Sequence, residues 1–387
     1  MKLRICRISQ NFRPENDGLS RHVRALSEHQ ASKGYHVYLF QPFVNNVTKE
    51  GINIVRINTW NLRKYAGYKL YTVVFCIASL WQVWLYNRRL KFDIIHCHGD
   101  AIEAFFFGLL GRAMSIPVVL TVHGGLNRGR FYHAVAPLLF KFIDMFIPIS
   151  NPVRSDLEGV HIPSENICVI STGINYKEFE EISGRPKEEL RLKLGIPLSA
   201  TVIAAAGRLH PVKGFEYLIE AALKFKGNDS TPLFYIIGDG PDREKLSKKA
   251  EGMNYISLTG RKSHAEMLEY LRCADIFVMC SVDFPRQSEA IPTVLIEAFA
   301  LGLPVVTTDT GEGKYLVVNG SNGLVVRQRD PEALHRALAE MISKVKDAHY
   351  RDETALYNKK LAAERDWKVL VERIEGIYQE LIEGRVI

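Results

Sequence analysis

Along the chain, segments with the apolar pattern of a strand alternate with segments in which apolar residues recur at the spacing of a helix. Residues 3–8 and 35–40 are short apolar runs typical of strands, and between them Val23 and Leu26 lie at helical spacing. This β–loop–α–β opening predicts a parallel sheet with a ligand loop at the carboxyl end of its first strand. Gly18 lies in that loop, where a backbone without a side chain can approach a pyrophosphate; the alternative is an ordinary turn glycine.

Two later strand-like runs of the first half end in histidine. Residues 92–98 end at His98, and residues 117–123 end at His123. We expect these imidazoles at the carboxyl edge of the sheet, where such domains bind ligands. His96 and His98 are metal ligands by type and share one face of their strand. Because no third ligand lies near them in sequence, we predict no metal site there.

The second half of the chain repeats the arrangement with charged residues. A buried strand at residues 201–206 is followed by Arg208 and Lys213, and then by a helix over residues 216–222. The guanidinium fork, the ammonium group and the free N–H groups of the helix start together predict a pyrophosphate site. The alternative is a pair of solvated cations.

Residues 288–302 contain two carboxylates, Glu289 and Glu297, eight positions apart. Glu289 precedes a turn at Pro292, and Glu297 lies within an apolar helical run that ends at Gly302. The two carboxylates can hold two ends of one polar ligand, and the helix start between them suits a phosphate. The alternatives are a surface helix and a glycosidase pair. In one helix the two would stand about 12 Å apart, and a glycosidase needs roughly 5–10 Å.

Length, composition and charge narrow the class of protein. The 387 residues suffice for two domains, and 47% hydrophobic with 24% charged residues predicts a globular chain. Six scattered cysteines and a charged N-terminus indicate a cytoplasmic protein without a signal peptide. Residues 1–180 carry 21 Lys and Arg against 13 Asp and Glu, and the rest 29 against 30. The basic half can face anionic lipid or an acidic acceptor, whereas no nucleic-acid signature accompanies it.

An uncharged apolar run over residues 70–86 is close to the length that spans a bilayer. Basic residues flank it, including Lys69 and Arg88. The run is consistent with a core helix of an α/β domain, with a membrane-surface helix that has Trp81 and Trp84 near the interface, or with a transmembrane helix.

The spacing Glu-x7-Glu, the sequence Gly-Arg-Leu-x-x-x-Lys-Gly and the strand-end His123 resemble the retaining glycosyltransferases of the family 4, or group 1, type. The resemblance covers nearly the whole chain in the right order. It implies an α/β fold of two Rossmann-like doubly wound domains facing across a cleft (GT-B). We expect an acceptor domain at residues 1–180, a donor domain at 181–366, and a terminal helix at 367–387 that crosses back to the first domain. The charged residues 180–197 have the character of a linker.

The resemblance also implies roles for individual residues. Glu289, His123, Arg208 and Lys213 would be catalytic. The first Glu would contact the donor sugar, the second would hold the ribose hydroxyls, and the loop at Gly260 would seat the base. The implied donor contacts are Gly18, Arg208, Lys213, Gly260, Arg261, Glu289, Ala290, Ile291, Pro292, Thr293, Val294 and Glu297. The chain departs from the family at Asp17-Gly18 and at Ala290, where glycine is usual, and at Gly311-Glu312-Gly313, which lacks a following Glu.

These features predict a specific reaction. The sequence has no Asp-x-Asp, so we expect a metal-independent enzyme without cofactor that stabilises the departing diphosphate with Arg208, Lys213, the Gly18 backbone and a helix start. A hexosyl group would pass, with retention as in the family, from a nucleoside-diphosphate sugar, by family frequency a UDP-sugar, to a hydroxyl of a lipid-linked or saccharide acceptor. The setting would be lipopolysaccharide, exopolysaccharide or glycolipid assembly, in the cytoplasm or at the inner membrane face. The alternatives are a soluble small-molecule acceptor, an epimerase of the same fold, and a non-catalytic nucleotide-sugar-binding protein.

Overall fold

The computed structural model describes residues 2–10, 18–42, 50–59, 67–126, 130–226, 231–284 and 293–384. It divides the chain into two compact units. Unit 1 comprises Met1–Gly173 and Trp367–Ile387, and unit 2 comprises Ile174–Asp366.

Unit 1 is built on a parallel sheet. Among its described residues, six strands pair in the order β3-β2-β1-β4-β5-β6. The strands are β1 (Arg4–Ser9), β2 (His36–Gln41), β3 (Ile52–Arg56), β4 (Ile94–His98), β5 (Val118–Val122) and β6 (Met145–Pro148). The helices are α1 (Gly18–Ser32), α2 (Tyr68–Leu90), α3 (Ala101–Met114), α4 (Arg130–Phe140), α5 (Asn151–Gly159) and, from the end of the chain, α15 (Trp367–Ile382).

Unit 2 has the same plan. Its described strands pair in parallel in the order β12-β11-β10-β7-β8-β9. They are β7 (Val202–Ala206), β8 (Leu233–Ile237), β9 (Ile256–Gly260), β10 (Ile276–Met279), β11 (Val305–Thr308) and β12 (Gly323–Val326). The helices are α6 (Tyr176–Ser183), α7 (Lys187–Lys193), α8 (Phe215–Leu223), α9 (Arg243–Lys249), α10 (His264–Cys273), α11 (Thr293–Ala300), α12 (Gly313–Leu316), α13 (Pro331–Lys344) and α14 (Ala348–Ala363).

In both units, helices cover both faces of a sheet whose strands are apolar. All five residues of β4, β5 and β7 are buried, as expected for parallel strands covered on both sides. In unit 1, α15 covers part of one face of the sheet with Leu370, Val371 and Ile374, which pack with Ile5 and Val37. Burial of each such side chain stabilises the fold by about 1.5–3 kcal/mol, so the helix is integral to unit 1. The predicted α/β fold class is confirmed.

The charged segment at residues 180–197 is not a linker, which corrects that interpretation. It forms the end of α6 and all of α7, and unit 2 begins earlier, at Ile174. Its charges pair within unit 2: Nη1 of Arg185 lies 2.7 Å from Oε1 of Glu269, and Nη2 of the buried Arg191 lies 2.9 Å from Oδ2 of Asp275. A dense run of charges resembles a linker in sequence, but here it is one side of an ion-pair network.

The apolar run at residues 70–86 lies in α2, whose two faces differ. One face packs into the core of unit 1 through Phe75, Cys76 and Val83. Gln10 donates a hydrogen bond of 2.8 Å to the buried hydroxyl of Thr72 on the same helix. The helix is long and apolar enough to cross a membrane by length and composition, and a third of its most apolar window is buried inside the fold. The helix therefore contributes one of its faces to the core of unit 1.

Candidate functional site

The strand order of unit 2 reverses between β7 and β10, so the loops that follow these strands diverge and leave a recess. In doubly wound sheets this is the position where ligands bind. The recess is lined by residues from both strand ends, from the segment that leads into α8 and from the start of α11, namely Ala206, Lys213, Phe215, Val278, Met279, Cys280, Ser281 and Val294. Of the predicted donor contacts, Lys213 and Val294 therefore share one recess. The exposed Arg208 lies two residues beyond β7, on the loop that leads to Lys213.

A tight backbone turn holds Lys213 in place. Pro211–Lys213 form one turn of 3₁₀ helix, begun by the His210 side chain, which accepts a hydrogen bond of 3.4 Å from the Val212 amide. Gly214 then adopts a left-handed φ of 64° and starts α8. A Cβ atom on Gly214 would lie 1.9 Å from the carbonyl oxygen of Cys280. Only glycine fits both the angle and this approach to the β10 loop.

The environment of Lys213 favours an anionic ligand. Burial lowers the pKa of its ammonium group to about 8, because the charged form is poorly solvated there. The neighbouring Cys280 thiol donates a hydrogen bond of 3.2 Å to the Lys213 carbonyl, and burial raises the pKa of this thiol to about 12. The thiol is therefore neutral, and a bound diphosphate would add negative charge next to the Lys213 ammonium group.

Glu297 lies in the middle of α11 and is buried. Its Oε1 lies 3.0 Å from Nε2 of His264 at the start of α10, and Nδ1 of that ring lies 3.6 Å from Oε2 of Glu178. A buried carboxylate requires such partners. Our sequence reasoning missed His264 and Glu178, since both lie far from Glu297 in sequence. A Ser263–Glu266 capping box marks the helix start that positions His264.

The other donor contacts of unit 2 implied by the resemblance lie at the end of β9, at the start of α11 or outside the described residues. Gly260 ends β9 with a φ of 75°, and the exposed Arg261 follows it. Thr293 begins α11. Four predicted residues lie outside the described residues: Glu289, Ala290, Ile291 and Pro292.

In unit 1 the strand order reverses between β1 and β4, and histidines lie at that position. Gly18 begins α1, and His22 follows one turn later. The topology brings His22 next to the strand-end residues His98 and His123, so that one ring nitrogen from each lies within 4.8 Å of the others. Nδ1 of His98 and Nε2 of His123 form a hydrogen bond of 3.0 Å. Within the described residues, neither ring nitrogen of His22 has a hydrogen-bond partner.

Burial keeps these imidazoles neutral. It lowers the pKa of His123 to about 3, and it also holds the pKa values of His22, His96 and His98 well below their usual range, where interactions with one another, with His123 and with the Arg7 guanidinium lower them further. His96 stacks on His98 with ring centroids 4.4 Å apart; its Nδ1 is hydrogen-bonded to the Tyr378 hydroxyl of α15. The cluster can donate and accept hydrogen bonds to a neutral sugar.

Neutral imidazoles are also the form that binds metals. We expected no metal at His96 and His98 because no third ligand is close in sequence. That reason does not hold in the fold, since α1 supplies His22 and β5 leads to His123. The sequence signal that could have indicated the cluster is the helical position of His22 one turn after Gly18.

Two family models match the chain one after the other. The model described as Glycosyltransferase Family 4 matches residues 16–178, and the one described as Glycosyl transferases group 1 matches residues 186–357. The alpha-monoglucosyldiacylglycerol synthase of Acholeplasma laidlawii is 26% identical over 363 residues, which cover 86% of this chain and 87% of the relative. The D-inositol 3-phosphate glycosyltransferase of Corynebacterium urealyticum is 29% identical over 415 residues, 98% of this chain and 96% of the relative.

Solved structures agree with these matches at the level of the fold. HepE of Anabaena, crystallised with UDP, superimposes with a TM-score of 0.72 at 18% identity, and the match covers 98% of this chain and all of HepE. The same protein has also been solved with UDP-glucose. The chain belongs to the group 1, family 4 glycosyltransferases and has the GT-B fold.

Proposed function

We propose that this glycosyltransferase transfers a hexosyl group from a UDP-sugar to a hydroxyl group of a lipid-linked or saccharide acceptor, with retention of configuration and without a metal. The observation that carries the proposal is the recess of unit 2, where the half-buried Lys213 lies at the reversal of the strand order and Arg208 is on the same loop. UDP as the donor nucleotide is supported by the HepE complexes.

The chemistry follows from charge. When the bond between sugar and phosphate breaks, negative charge develops on the departing diphosphate, and fixed cations stabilise it. Arg208 can hold two phosphate oxygens with its fork, and Lys213 adds a second positive charge. In a front-face reaction the acceptor hydroxyl would attack the anomeric carbon from the side that the diphosphate leaves, which retains the configuration, and the leaving phosphate would take the proton of that hydroxyl. Glu297 would bind the ribose hydroxyls and His123 the sugar.

The acceptor is the part of the proposal that depends most on relatives. The Acholeplasma relative is named for a diacylglycerol glycolipid, and the Corynebacterium relative for an inositol phosphate. We favour the glycolipid or cell-envelope class, at the cytoplasmic face of the membrane, because residues 1–180 carry an excess of Lys and Arg. A soluble small-molecule acceptor is the second candidate.

A donor panel tests the proposal. Release of nucleoside diphosphate would be measured with UDP-, GDP- and ADP-sugars, with and without EDTA, beside the melting temperature with each free diphosphate. We expect UDP to raise the melting temperature and slow release from a UDP-sugar to persist in EDTA. Activity lost in EDTA and restored by a divalent metal would overturn the metal-free part and direct attention to His22, His98 and His123. No shift with any diphosphate would overturn the donor site.

A further inference from the structure

Helix α2 has an exposed apolar face that the fold of unit 1 does not use. Leu70, Ile77, Trp81 and Trp84 are 58%, 55%, 60% and 38% exposed. Their spacing of seven, four and three places them on one stripe of the helix. The stripe lies opposite the buried positions Phe75, Ser79 and Val83.

A helix on the surface of a water-soluble domain normally presents polar residues on the face away from the core. In α2 both faces are apolar, and the outer one carries two tryptophans. Single exposed apolar side chains are common, but a contiguous stripe of this kind marks an interaction surface.

The aromatic residues of this stripe are arranged with a cation. The rings of Trp81 and Trp84 stack with centroids 5.3 Å apart and an interplanar angle of 21°. The guanidinium carbon of Arg88, one turn further along, lies 5.0 Å from the centroid of the Trp84 ring. Tryptophan beside arginine is the combination found where a helix meets the boundary between lipid headgroups and acyl chains.

Charge decides between the possible occupants of this face. Residues 68–90 contain Lys69, Arg88 and Arg89 and no Asp or Glu, and Lys91 follows directly. All four cations are exposed. If a second copy packed on this face, parallel or antiparallel, basic ends would meet basic ends. An anionic lipid surface instead complements the cations at both ends and accepts the apolar stripe between them.

We propose that α2 lies along the surface of an anionic phospholipid bilayer, with Leu70, Ile77, Trp81 and Trp84 inserted at the headgroup boundary and Arg88, Arg89 and Lys91 against the phosphates. The inference names the surface by which the proposed enzyme would contact the membrane. It rests on the proposed function only for the biological purpose of that contact. Its test needs neither donor nor turnover, so failure of the transferase proposal and failure of this one are separable.

The test measures binding of the full chain to sedimenting vesicles of phosphatidylcholine with and without phosphatidylglycerol. We expect binding only when phosphatidylglycerol is present. Trp81→Gln/Trp84→Gln should weaken it roughly tenfold or more through loss of buried apolar area. Arg88→Gln/Arg89→Gln should weaken it roughly fivefold for each cation removed. Tryptophan fluorescence should shift to the blue and be quenched by brominated acyl chains in the wild type but not in the tryptophan variant, which retains Trp60 and the buried Trp367.

Matched controls lie in unit 2. Leu192→Gln/Leu356→Gln removes two apolar side chains that are 69% and 75% exposed, and Lys248→Gln/Lys360→Gln removes two exposed cations. Both controls should bind vesicles like the wild type, and all variants should melt at the wild-type temperature because the changed side chains are exposed. Equal binding to neutral vesicles, no binding to any vesicle, or equal losses in the controls would overturn the proposal. A dimer that the tryptophan change converts to a monomer, with vesicle binding unaltered, would assign the face to a second copy.

Discussion

The two sheets share one strand order and carry different chemistry where that order reverses. In unit 1 the position holds neutral imidazoles, with His123 at a pKa of about 3. In unit 2 it holds Lys213, with Arg208 on the same loop, and α11 carries the buried carboxylate of Glu297. The topology determines where a ligand site forms, and the side chains determine what it binds: the first site suits neutral hydroxyl groups and the second a diphosphate.

The largest effect should come from removing the cations of unit 2. In Arg208→Ala and Lys213→Ala, charge developing on the leaving diphosphate loses a fixed partner, so turnover should fall by about 100- to 1000-fold each. The measurement is diphosphate release at saturating donor, with UDP affinity by calorimetry. Lys245→Ala is the matched control, because Lys245 is an exposed cation of the same unit paired with Glu216. Wild-type turnover with both cations removed would mean that Arg208 and Lys213 do not stabilise the leaving diphosphate, and the assignment of the donor site would be wrong.

The matching change in unit 1 should cost less. In His98→Ala, His123 loses its hydrogen-bond partner, which should lower kcat/KM by roughly five- to tenfold. Because burial keeps the pKa of His123 at about 3, the rate should show no titration of this residue near pH 6.5 in either protein. The experiment is a pH–rate profile of wild type and variant. A loss as large as that of the Arg208 variant, or a limb near pH 6.5 that the variant abolishes, would break the contrast between the units.

The same contrast explains what sequence reasoning could find. Arg208 and Lys213 are five residues apart on one loop, so a local motif was enough to predict a phosphate site. The recess at Lys213 is consistent with that prediction. The histidine cluster needs α1, β4 and β5 together, and the partner of Glu297 comes from α10. These contacts depend on tertiary packing, which spacing along the chain does not encode.

Periodicity had a second limit at α2. An apolar run without charges shows that a helix has little polar surface, but not which of its faces the fold covers, so three interpretations stayed open. The linker interpretation of the charged segment at α7 was wrong for a different reason. The segment pairs with Glu269 and Asp275, which lie in elements far from it in sequence. The strands were easier to predict from the sequence, since buried parallel strands are short continuous apolar runs.

A conservative change at Lys213 sharpens the picture of the cationic site. Since burial lowers the pKa of Lys213 to about 8, the free protein loses this charge as the pH rises through that value, and UDP affinity should fall there. In Lys213→Arg the guanidinium fork does not match the geometry of the ammonium group, so the affinity of this variant for UDP should be lower near neutral pH. Because the guanidinium keeps its charge, that affinity should stay constant up to about pH 9.5. Calorimetric titrations across this range decide. Parallel pH dependences in both proteins would assign the alkaline loss to another group.

The smallest predicted effect extends the contrast to a carboxyl group of unit 1. Burial, and to a lesser extent the charge of Asp100, raise the pKa of Glu103 in the first turn of α3 to about 8. With a folded pKa above the unfolded value, its contribution to stability is fully present below about pH 4.5 and is lost as the pH rises through about 8. Glu103→Gln keeps a side-chain oxygen that can accept the 3.2 Å hydrogen bond from the Asp100 amide, but cannot ionise. The variant should therefore melt a few degrees above the wild type near pH 8.5 and close to it near pH 5, whereas exposed Glu50→Gln should shift neither value. An equal gap at both pH values would mean that Glu103 is ionised throughout, and that the edge of the sheet after β4 is not the neutral environment that its histidines indicate.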